Sequence, residues 1–236
     1  MLVRGNSNRS SEPLPSQLDQ SARQDAAWSE FKYLRGSEIF GEAEPAQYVY
    51  QIRQGAVRTY KLLSDGRRQI GAFHLPGDIF GVEIGEVHRF TAEAIVDTVV
   101  WLAKRRSLFA GLTQGDIPFT KNVTDLVAKS LEHVENHLLL LGRQSALERV
   151  AAFLVEMDCR WGKPTVMVLP MNRRDIADYL GLTLETVARS MSTLRDNGIL
   201  SISGKNQRAI VLRDPHKLQA RSLVLGAIKS RSGRCD

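Results

Sequence analysis

The sequence predicts an α+β protein in which a strand-rich N-terminal part is joined by one long helix to a C-terminal winged helix-turn-helix. Three patterns carry this prediction. Short strand-like runs separated by turn signals fill residues 28–102. A seven-residue apolar repeat follows within residues 117–142. Two amphipathic helices with only a glycine corner between them then occupy residues 172–200.

Composition and charge are those of an ordinary globular protein. The 236 residues are 43% hydrophobic, enough for the cores of one large or two ordinary domains. Residues 143–236 hold 16 Lys and Arg against 9 Asp and Glu, whereas residues 1–142 hold 16 against 17. A basic part beside a near-neutral one is typical of a nucleic-acid-binding domain attached to another domain.

Several other classes of protein are disfavoured. No apolar run approaches the roughly 20 residues of a membrane-spanning helix, and no signal-peptide core is present, so we expect a cytoplasmic protein without a membrane partner. The sequence contains no glycine-rich phosphate loop, nucleophile elbow or plausible carboxylate pair, which argues against an enzyme. Cys159 and Cys235 are too few for a disulfide framework or a four-thiolate Fe–S cluster, and no cofactor is expected. Cys159 is a candidate redox site if exposed, although free cysteines are more often inert.

The N-terminal part begins with a polar arm. Residues 1–28 are rich in Ser, Asn, Arg and Gln, which predicts flexibility. The strand-like runs that follow favour a β-barrel or sandwich over residues 29–116. The predicted strands are Ile39-Phe40, Tyr48 to Ile52, Ala56 to Leu63, Gln69 to Phe73, Phe90 to Ile95 and Thr98 to Leu102.

A long helix is predicted over residues 117–142. Its apolar and small residues alternate spacings of four and three, the pattern of a coiled-coil seam. Such a seam favours a parallel homodimer, and the alternative is a helix lying on its own barrel. The predicted interface residues are Thr124, Val127, Leu131, Val134, Leu138 and Leu141.

Two histidines on this helix, His133 and His137, have the spacing of a zinc-binding pair. The metalloprotease motif requires Glu directly after the first histidine, and Val134 stands there instead. We therefore expect solvated histidines and no metal.

The C-terminal domain is predicted to span residues 143–229. It opens with an amphipathic helix from Ala146 to Arg160 and a strand from Val166 to Leu169. Near its end, Ile199 to Ser203 and Ala209 to Leu212 alternate around a basic tip, as the strands of a hairpin would. This hairpin is the predicted wing. Residues 230–236 are small and polar, which predicts a flexible tail.

The centre of this domain is a helix pair with a tight corner. Ala177 is small where the second helix passes close, Gly181 can adopt a left-handed conformation, and Val187 fills the angle. Thr183 can cap the second helix, which is predicted to stop before Asp196 because a turn signal follows. These spacings together predict a helix-turn-helix.

The outward face of the second helix carries side chains suited to reading DNA bases. Near the N-terminus of a helix in the major groove, Glu185 can accept from cytosine N4 and Arg189 can donate to guanine O6 and N7. The predicted base-reading residues are Leu184, Glu185, Ala188 and Arg189. The predicted phosphate contacts are Arg173, Arg174, Thr183, Thr186, Lys205 and Arg208.

The alternative for this segment is an αα-hairpin whose Glu and Arg are merely solvated. A lone Glu-x-x-x-Arg would favour that alternative. Because the corner spacing, the basic flanks and the wing occur together, double-stranded DNA is the favoured partner.

From about Tyr33 to Leu212 the sequence resembles the Crp/Fnr superfamily of bacterial transcription regulators. The resemblance rests on the order of barrel, long helix and winged helix, and on Glu185-Thr186-Val187-Ala188-Arg189. It implies an N-terminal β-roll (jelly-roll-like) sensor domain followed by a dimerisation helix. Three segments resemble the Fnr and FixK branch in particular: Gly77 to Gly81, Leu138 to Ala152 and Arg174 to Gly198.

The resemblance implies a homodimer, mainly an activator, that binds a TTGA-N6-TCAA palindrome, recruits RNA polymerase and controls low-oxygen or nitrogen-fixation/denitrification genes. Leu184 fits this branch, since the cyclic-AMP receptor branch carries Arg there and prefers TGTGA. Ala188 departs from the usual Ser or Cys and offers only a methyl group. Positions where family members contact RNA polymerase correspond to Arg67 and Arg68, which we expect in an exposed turn of the barrel, and to Asp158 and Lys163 after the first helix of the C-terminal domain.

The sensor part departs from cyclic-nucleotide-binding members, in which a Gly-Glu-Leu segment and an Arg-Ser pair hold ribose and phosphate. Here Gly81-Val82-Glu83-Ile84 carries an extra Val82, and Arg89-Phe90 lacks the hydroxyl. Both departures argue against a cyclic nucleotide, and the cysteine cluster of Fnr is absent from residues 1–40. We expect DNA binding without an effector, as in other FixK-type proteins. The alternative is a regulator whose β-roll binds a different ligand.

Overall fold

The structure of the protein, a computed structural model, describes most of the chain between residues 28 and 222. The described residues are 28–83, 85–107, 128, 131–132, 134–142, 145–162, 164–204 and 206–222. The predicted arm before residue 28 and the tail 230–236 lie outside them. So do four predicted site residues, which are Thr124, Val127, Lys163 and Lys205.

Within the described residues, eight antiparallel strands form the N-terminal β-roll as two four-stranded sheets, ordered β1-β8-β3-β6 and β2-β7-β4-β5. All six predicted strands are confirmed. The strands β1 and β6 were not predicted, because β1 is largely exposed and β6 has only two residues. The bounds are β1 Ser29–Tyr33, β2 Glu38–Phe40, β3 Tyr48–Gln54, β4 Val57–Leu62, β5 Arg68–His74, β6 Ile79–Phe80, β7 Thr91–Ala94 and β8 Thr98–Lys104.

An aromatic cluster fills one end of the β-roll. The Phe40 ring stacks on His88 with centroids 3.6 Å apart, and Tyr50 stacks on Phe80 at 5.1 Å. Gly81 has a φ of 76°, and a Cβ there would lie 2.8 Å from the Tyr50 ring. A side chain at residue 81 would therefore be both strained and in collision with this cluster.

The C-terminal domain has the predicted winged helix-turn-helix architecture, with a three-stranded sheet ordered β10-β11-β9. The first helix has the predicted bounds, because Ser145 and Glu148 form a reciprocal capping box at its start. The second helix of the pair includes Asp196, one residue beyond its predicted end, and the short last helix was not predicted. The bounds are α1 Ala146–Arg160, β9 Met167–Val168, α2 Arg173–Leu180, α3 Leu184–Asp196, β10 Leu200–Ser203, β11 Ala209–Leu212 and α4 Pro215–Arg221.

The two halves share a hydrophobic core. Phe73 of β5 packs against Phe153 of α1 and Tyr179 of α2, with ring centroids 6.2 and 5.1 Å away. All three side chains are buried. Arg160 of α1 donates to the Phe73 carbonyl and pairs with Asp78 of the β-roll. Apolar packing and these polar contacts together hold the C-terminal domain against β5.

The linker helix, defined here by the helical residues 131–132 and 134–142, has two different faces. Leu140 is buried in the shared core, whereas Leu131, Val134 and Leu138 are 57%, 58% and 69% exposed. The predicted interface residue Leu141 is half-buried and lies near Gly181. These three residues belong to the predicted seam, whereas Leu139, which is 47% exposed, does not. The homodimer remains a prediction.

One expectation about this helix is wrong. His137 is not a solvated side chain, because its ring stacks on Tyr179 at 4.1 Å and its Nε2 lies 2.9 Å from the Tyr179 carbonyl oxygen. His133 lies outside the described residues. Among the residues described, no helix is both long and apolar enough to cross a bilayer, and no three His, Cys, Asp or Glu side chains form a metal-binding group.

Candidate nucleic-acid interface

The corner between α2 and α3 has the predicted construction. Gly181 has φ 62° and ψ 39°, and its N–H donates to the Ala177 carbonyl, which ends α2 in a left-handed cap. Ala177 and Val187 are buried between the helices. At the start of α2, Asn172 and Asp175 form a reciprocal capping box. Both helices are therefore fixed at the ends that determine their crossing.

Replacing Gly181 by alanine is expected to lower the free energy of unfolding by about 1 kcal/mol, because a residue with a Cβ is strained at positive φ. The nearest side-chain atom to that Cβ would be Leu141 Cδ2 at 3.7 Å, so backbone strain rather than a collision is the cause. Chemical denaturation measures the change. Gly142→Ala is the control, since Gly142 is helical and a Cβ there meets no atom of the described residues within 4 Å. Equal destabilisation by both variants would contradict the assignment.

The start of α3 is fixed by Thr183, as predicted. Its side chain accepts from the Thr186 backbone N–H, and the two hydroxyl oxygens are 2.8 Å apart. Both hydroxyls therefore already have a partner within the helix end, and their predicted phosphate contacts would be additional to this one.

The predicted base-reading face lies in the open. The Glu185 and Arg189 side chains are 72% and 78% exposed and form an ion pair one helical turn apart. Leu184 beside them is exposed and Ala188 is half-buried. A carboxylate and a guanidinium thus lie side by side near the N-terminal end of α3. If this end of the helix entered a major groove of DNA, both side chains would be accessible to the base edges.

Basic side chains flank this face. Arg174 is exposed, and Arg173 is half-buried at the start of α2. Burial and the nearby Arg195 both lower the pKa of the Arg173 guanidinium, a combination that an approaching phosphate would relieve. Arg208 donates to the Pro170 carbonyl at 3.1 Å, and its phosphate contact stays a prediction.

The residues that correspond to RNA polymerase contacts in the family differ in their exposure to solvent. Arg67 is exposed in the β4–β5 turn and pairs with Asp65. The expectation that Arg68 is also exposed is wrong, because its guanidinium lies over α2 and pairs with Asp175 and Asp178. Asp158 is half-buried on α1.

This contact belongs to an ionic cluster that sequence reasoning missed. Arg58 of β4 and Arg68 of β5 converge on one oxygen of the buried Asp175, at 2.6 and 2.7 Å. Arg68 also reaches Asp178 at 2.7 Å, and Arg58 reaches Glu93 of β7 at 2.7 Å. The one available signal was a pair of acidic residues, three apart, in the first helix of the helix-turn-helix of an otherwise basic domain.

The region matched to a nucleotide-binding segment is internally paired. Glu83 is buried and accepts from both the backbone N–H and Nε of Arg89, at 3.1 and 2.9 Å. His88 is buried behind it, and burial lowers the pKa of this histidine and favours the neutral ring. The Phe90 ring lies against Gly71, 3.1 Å from where a Cβ would be. In this structure the Glu83 carboxylate and the Arg89 guanidinium are therefore paired with each other, and the expectation that no cyclic nucleotide binds stays a prediction.

Cys159, the candidate redox residue, lies half-buried near the end of α1. A redox role for it stays a prediction.

Comparisons with known proteins match both halves. The family described as Crp-like helix-turn-helix domain matches residues 148–221, and the family described as cyclic nucleotide-binding domain matches residues 30–114. The nitrogen fixation regulation protein FixK of Rhizobium meliloti is 40% identical over 188 residues, which cover 80% of this chain and 84% of that protein. The protein of the same name from Azorhizobium caulinodans is 43% identical over 192 residues, covering 79% and 76%. The solved structure of FixK2 from Bradyrhizobium japonicum aligns with a TM-score of 0.78 and 56% identity, covering 82% of this chain and 96% of that chain.

Proposed function

Because the chain belongs to the FixK-type branch of the Crp/Fnr superfamily of transcription regulators, we propose that it binds a TTGA-N6-TCAA-type palindrome as a homodimer and activates transcription there. One observation carries this proposal. Glu185 and Arg189 stand exposed on the N-terminal half of a helix whose crossing is fixed by the Gly181 corner. A helix presented in this way can enter the major groove with both side chains directed at base edges.

The base-reading assignments follow from donor and acceptor chemistry. Arg189 donates two hydrogen bonds to guanine, and Glu185 accepts from the cytosine of the same pair on the other strand. Leu184 and Ala188 offer apolar contact to thymine methyl groups at neighbouring positions. In the complex Glu185 and Arg189 would each contact a base while they remain ion-paired with each other. Phosphate contacts from Arg173 and Arg174, with Lys205 at the wing tip, would set the register.

The homodimer is supported by the exposed seam of the linker helix. Three consecutive seam residues, Leu131, Val134 and Leu138, expose large apolar surfaces on one side, while Leu140 packs into the chain's own core. An identical helix would cover the exposed side and would relate the two α3 helices by a two-fold axis. Two-fold symmetry in the protein matches a palindrome in the DNA.

Binding without a cyclic nucleotide is supported by the contacts of Glu83. A ligand that required this carboxylate and Arg89 would first have to break their mutual hydrogen bonds, and Phe90 provides no hydroxyl in exchange. By similarity to its relatives, the protein would regulate nitrogen-fixation or low-oxygen genes. Its activity would be set by the amount of protein and not by a ligand.

We propose the exposed Arg67, together with Asp158 and Lys163, as contacts for RNA polymerase.

The proposed function is tested by measuring DNA binding of the purified, full-length protein with no ligand added. Duplexes would carry TTGA-N6-TCAA, TGTGA-N6-TCACA or a scrambled site, each titrated over a series of salt concentrations. We expect the first duplex to bind at least about a thousandfold more tightly than the scrambled one, the lower end of the range for specific regulators. Fluorescence anisotropy at several salt concentrations separates this preference from phosphate attraction, which is independent of sequence.

The second candidate is a Crp/Fnr-type regulator whose β-roll binds an effector other than a cyclic nucleotide. It is favoured if the three duplexes bind equally and with steep salt dependence, because the specific state would then require a missing ligand. Tight, ligand-free preference for TTGA-N6-TCAA would contradict it.

A further inference from the structure

The ionic cluster between the β-roll and α2 is a built contact between the two halves. We propose that the interdomain clamp, defined as Arg58, Arg68, Asp175 and Asp178, fixes the orientation of the reading helix and thereby sets the spacer length that the dimer accepts. This inference rests on the proposed function, since spacer length has meaning only for a dimer on a palindrome. The four residues are positioning residues and do not contact DNA.

The geometry of the clamp restrains rotation as well as distance. Asp175 and Asp178 lie almost one helical turn apart on α2, and each accepts from Arg68, at 2.7 Å in both cases. Arg58 reaches Asp175 from the neighbouring strand β4 at 2.6 Å. Two strands of a rigid sheet thus hold two successive turns of one helix, which leaves that helix little freedom to swing or to turn about its axis.

Burial makes the clamp sensitive to the loss of a member. The Asp175 side chain is only 2% exposed, and its other oxygen accepts from the Asn172 backbone N–H in the cap of α2. The third residue of a helix is also favoured as a carboxylate by the helix dipole. Tyr60 lies within 6 Å of both guanidiniums, at 5.9 and 5.5 Å from its ring centroid, and keeps them side by side. Removing an arginine while the domains stay packed would leave this carboxylate buried without its full set of partners, which is strongly unfavourable.

The clamp leaves the DNA-reading face free. It engages α2, whereas Glu185 and Arg189 of α3 are largely exposed in the same structure. Since the Gly181 corner makes α2 and α3 one rigid unit, holding α2 also orients α3. The clamped arrangement thus presents α3 to DNA without a ligand. In a regulator that must be switched, effector binding stabilises the DNA-binding orientation, and here the ion pairs of the clamp do so.

The test uses full-length protein and four duplexes in the absence of ligand. One carries TTGA-N6-TCAA, two carry the same half-sites with the spacer one base pair shorter or longer, and one carries a single half-site. The variants are Arg68→Gln, Asp178→Asn and their combination. The control is Arg53→Gln, because Arg53 forms an ion pair with Glu30 within the β-roll and is not part of the clamp. Thermal unfolding verifies that every variant is folded.

We expect Arg68→Gln to lower affinity for the N6 palindrome by about tenfold, within the range of couplings between distant sites. Affinity for the single half-site should stay at the wild-type value. The ratio of the affinity for the N6 palindrome to the affinities for the two altered spacers should fall. The loss of affinity in the double variant should be no larger than in the weaker-binding single variant, because both substitutions break the contact between Arg68 and Asp178. Arg53→Gln should behave as the wild type.

Three results would overturn the inference alone: a wild-type spacer preference in Arg68→Gln, an equal loss on the half-site and the palindrome, or tighter binding by the variant. The last would mean that the clamp holds an inactive arrangement. A wild-type protein with no preference for the palindrome would instead overturn the proposed function, and the inference with it.

Discussion

Replacing Leu138 by aspartate is expected to separate the dimer and to lower affinity for the palindrome by at least about a hundredfold. A dimer gains this much when its second reading helix binds within an already formed complex. Leu138 is 69% exposed in the single chain, so aspartate should cost little in the folded monomer. In the proposed seam the same carboxylate would be buried against its own copy, which is strongly unfavourable. Sedimentation velocity and binding titrations measure both effects.

The matched control for this variant is Leu34→Asp. Leu34 is also an exposed leucine, but it follows β1 in the β-roll and does not belong to the linker helix. It should leave both the sedimentation coefficient and the affinity unchanged. A Leu138→Asp protein that still sediments as a dimer would show that the seam lies elsewhere.

The second large effect concerns base reading by α3. Arg189→Ala and Glu185→Ala are each expected to reduce discrimination at the G·C pair of the half-site by about 1 to 3 kcal/mol. Each removes hydrogen bonds that only the correct base completes, and each leaves its neighbour without the ion-pair partner seen in the free protein. The measurement compares affinities for the palindrome and for versions with that base pair exchanged.

Arg195→Ala provides the control for base reading. Arg195 lies in the last turn of α3, at the opposite end from the reading face, and pairs with Asp196. It should lower affinity for all sequences alike, or not at all, and keep the discrimination. If Arg189→Ala bound the wild-type and exchanged sites with an unchanged ratio, the assignment of Arg189 to guanine would be wrong.

The sequence predicted best those elements that are determined locally. The bounds of α1 follow from a capping box around Ser145, and the α2–α3 corner follows from Gly181, whose conformation depends on its own backbone. Hairpin strands in the wing also have a local cause, which is the turn between them. The missed strand β6 consists of two residues that pair with β3, so nothing in its own composition distinguishes it from a loop.

Contacts between the halves could not be predicted in the same way. Arg68 and Asp178 are 110 residues apart, and their pairing depends on how β5 meets α2 after both domains have formed. The stacking of His137 on Tyr179 has the same origin. An arginine after a turn signal is ordinarily exposed, as Arg67 is, and only the packed structure distinguishes it from Arg68. The residues proposed to read bases could be named from the sequence because they belong to one helix, and their role stays a prediction.

The exposed seam of the linker helix would make the concentration of DNA-binding dimer depend steeply on the rate at which the protein is synthesised. In the proposed dimer, the apolar side chains Leu131, Val134 and Leu138 are covered only after two chains meet. By mass action, the concentration of dimer rises with the square of the total protein while most chains are still monomers. Without an effector, promoter occupancy would then change more sharply than the rate of synthesis does. A doubling of synthesis would raise the number of DNA-binding species about fourfold in that regime.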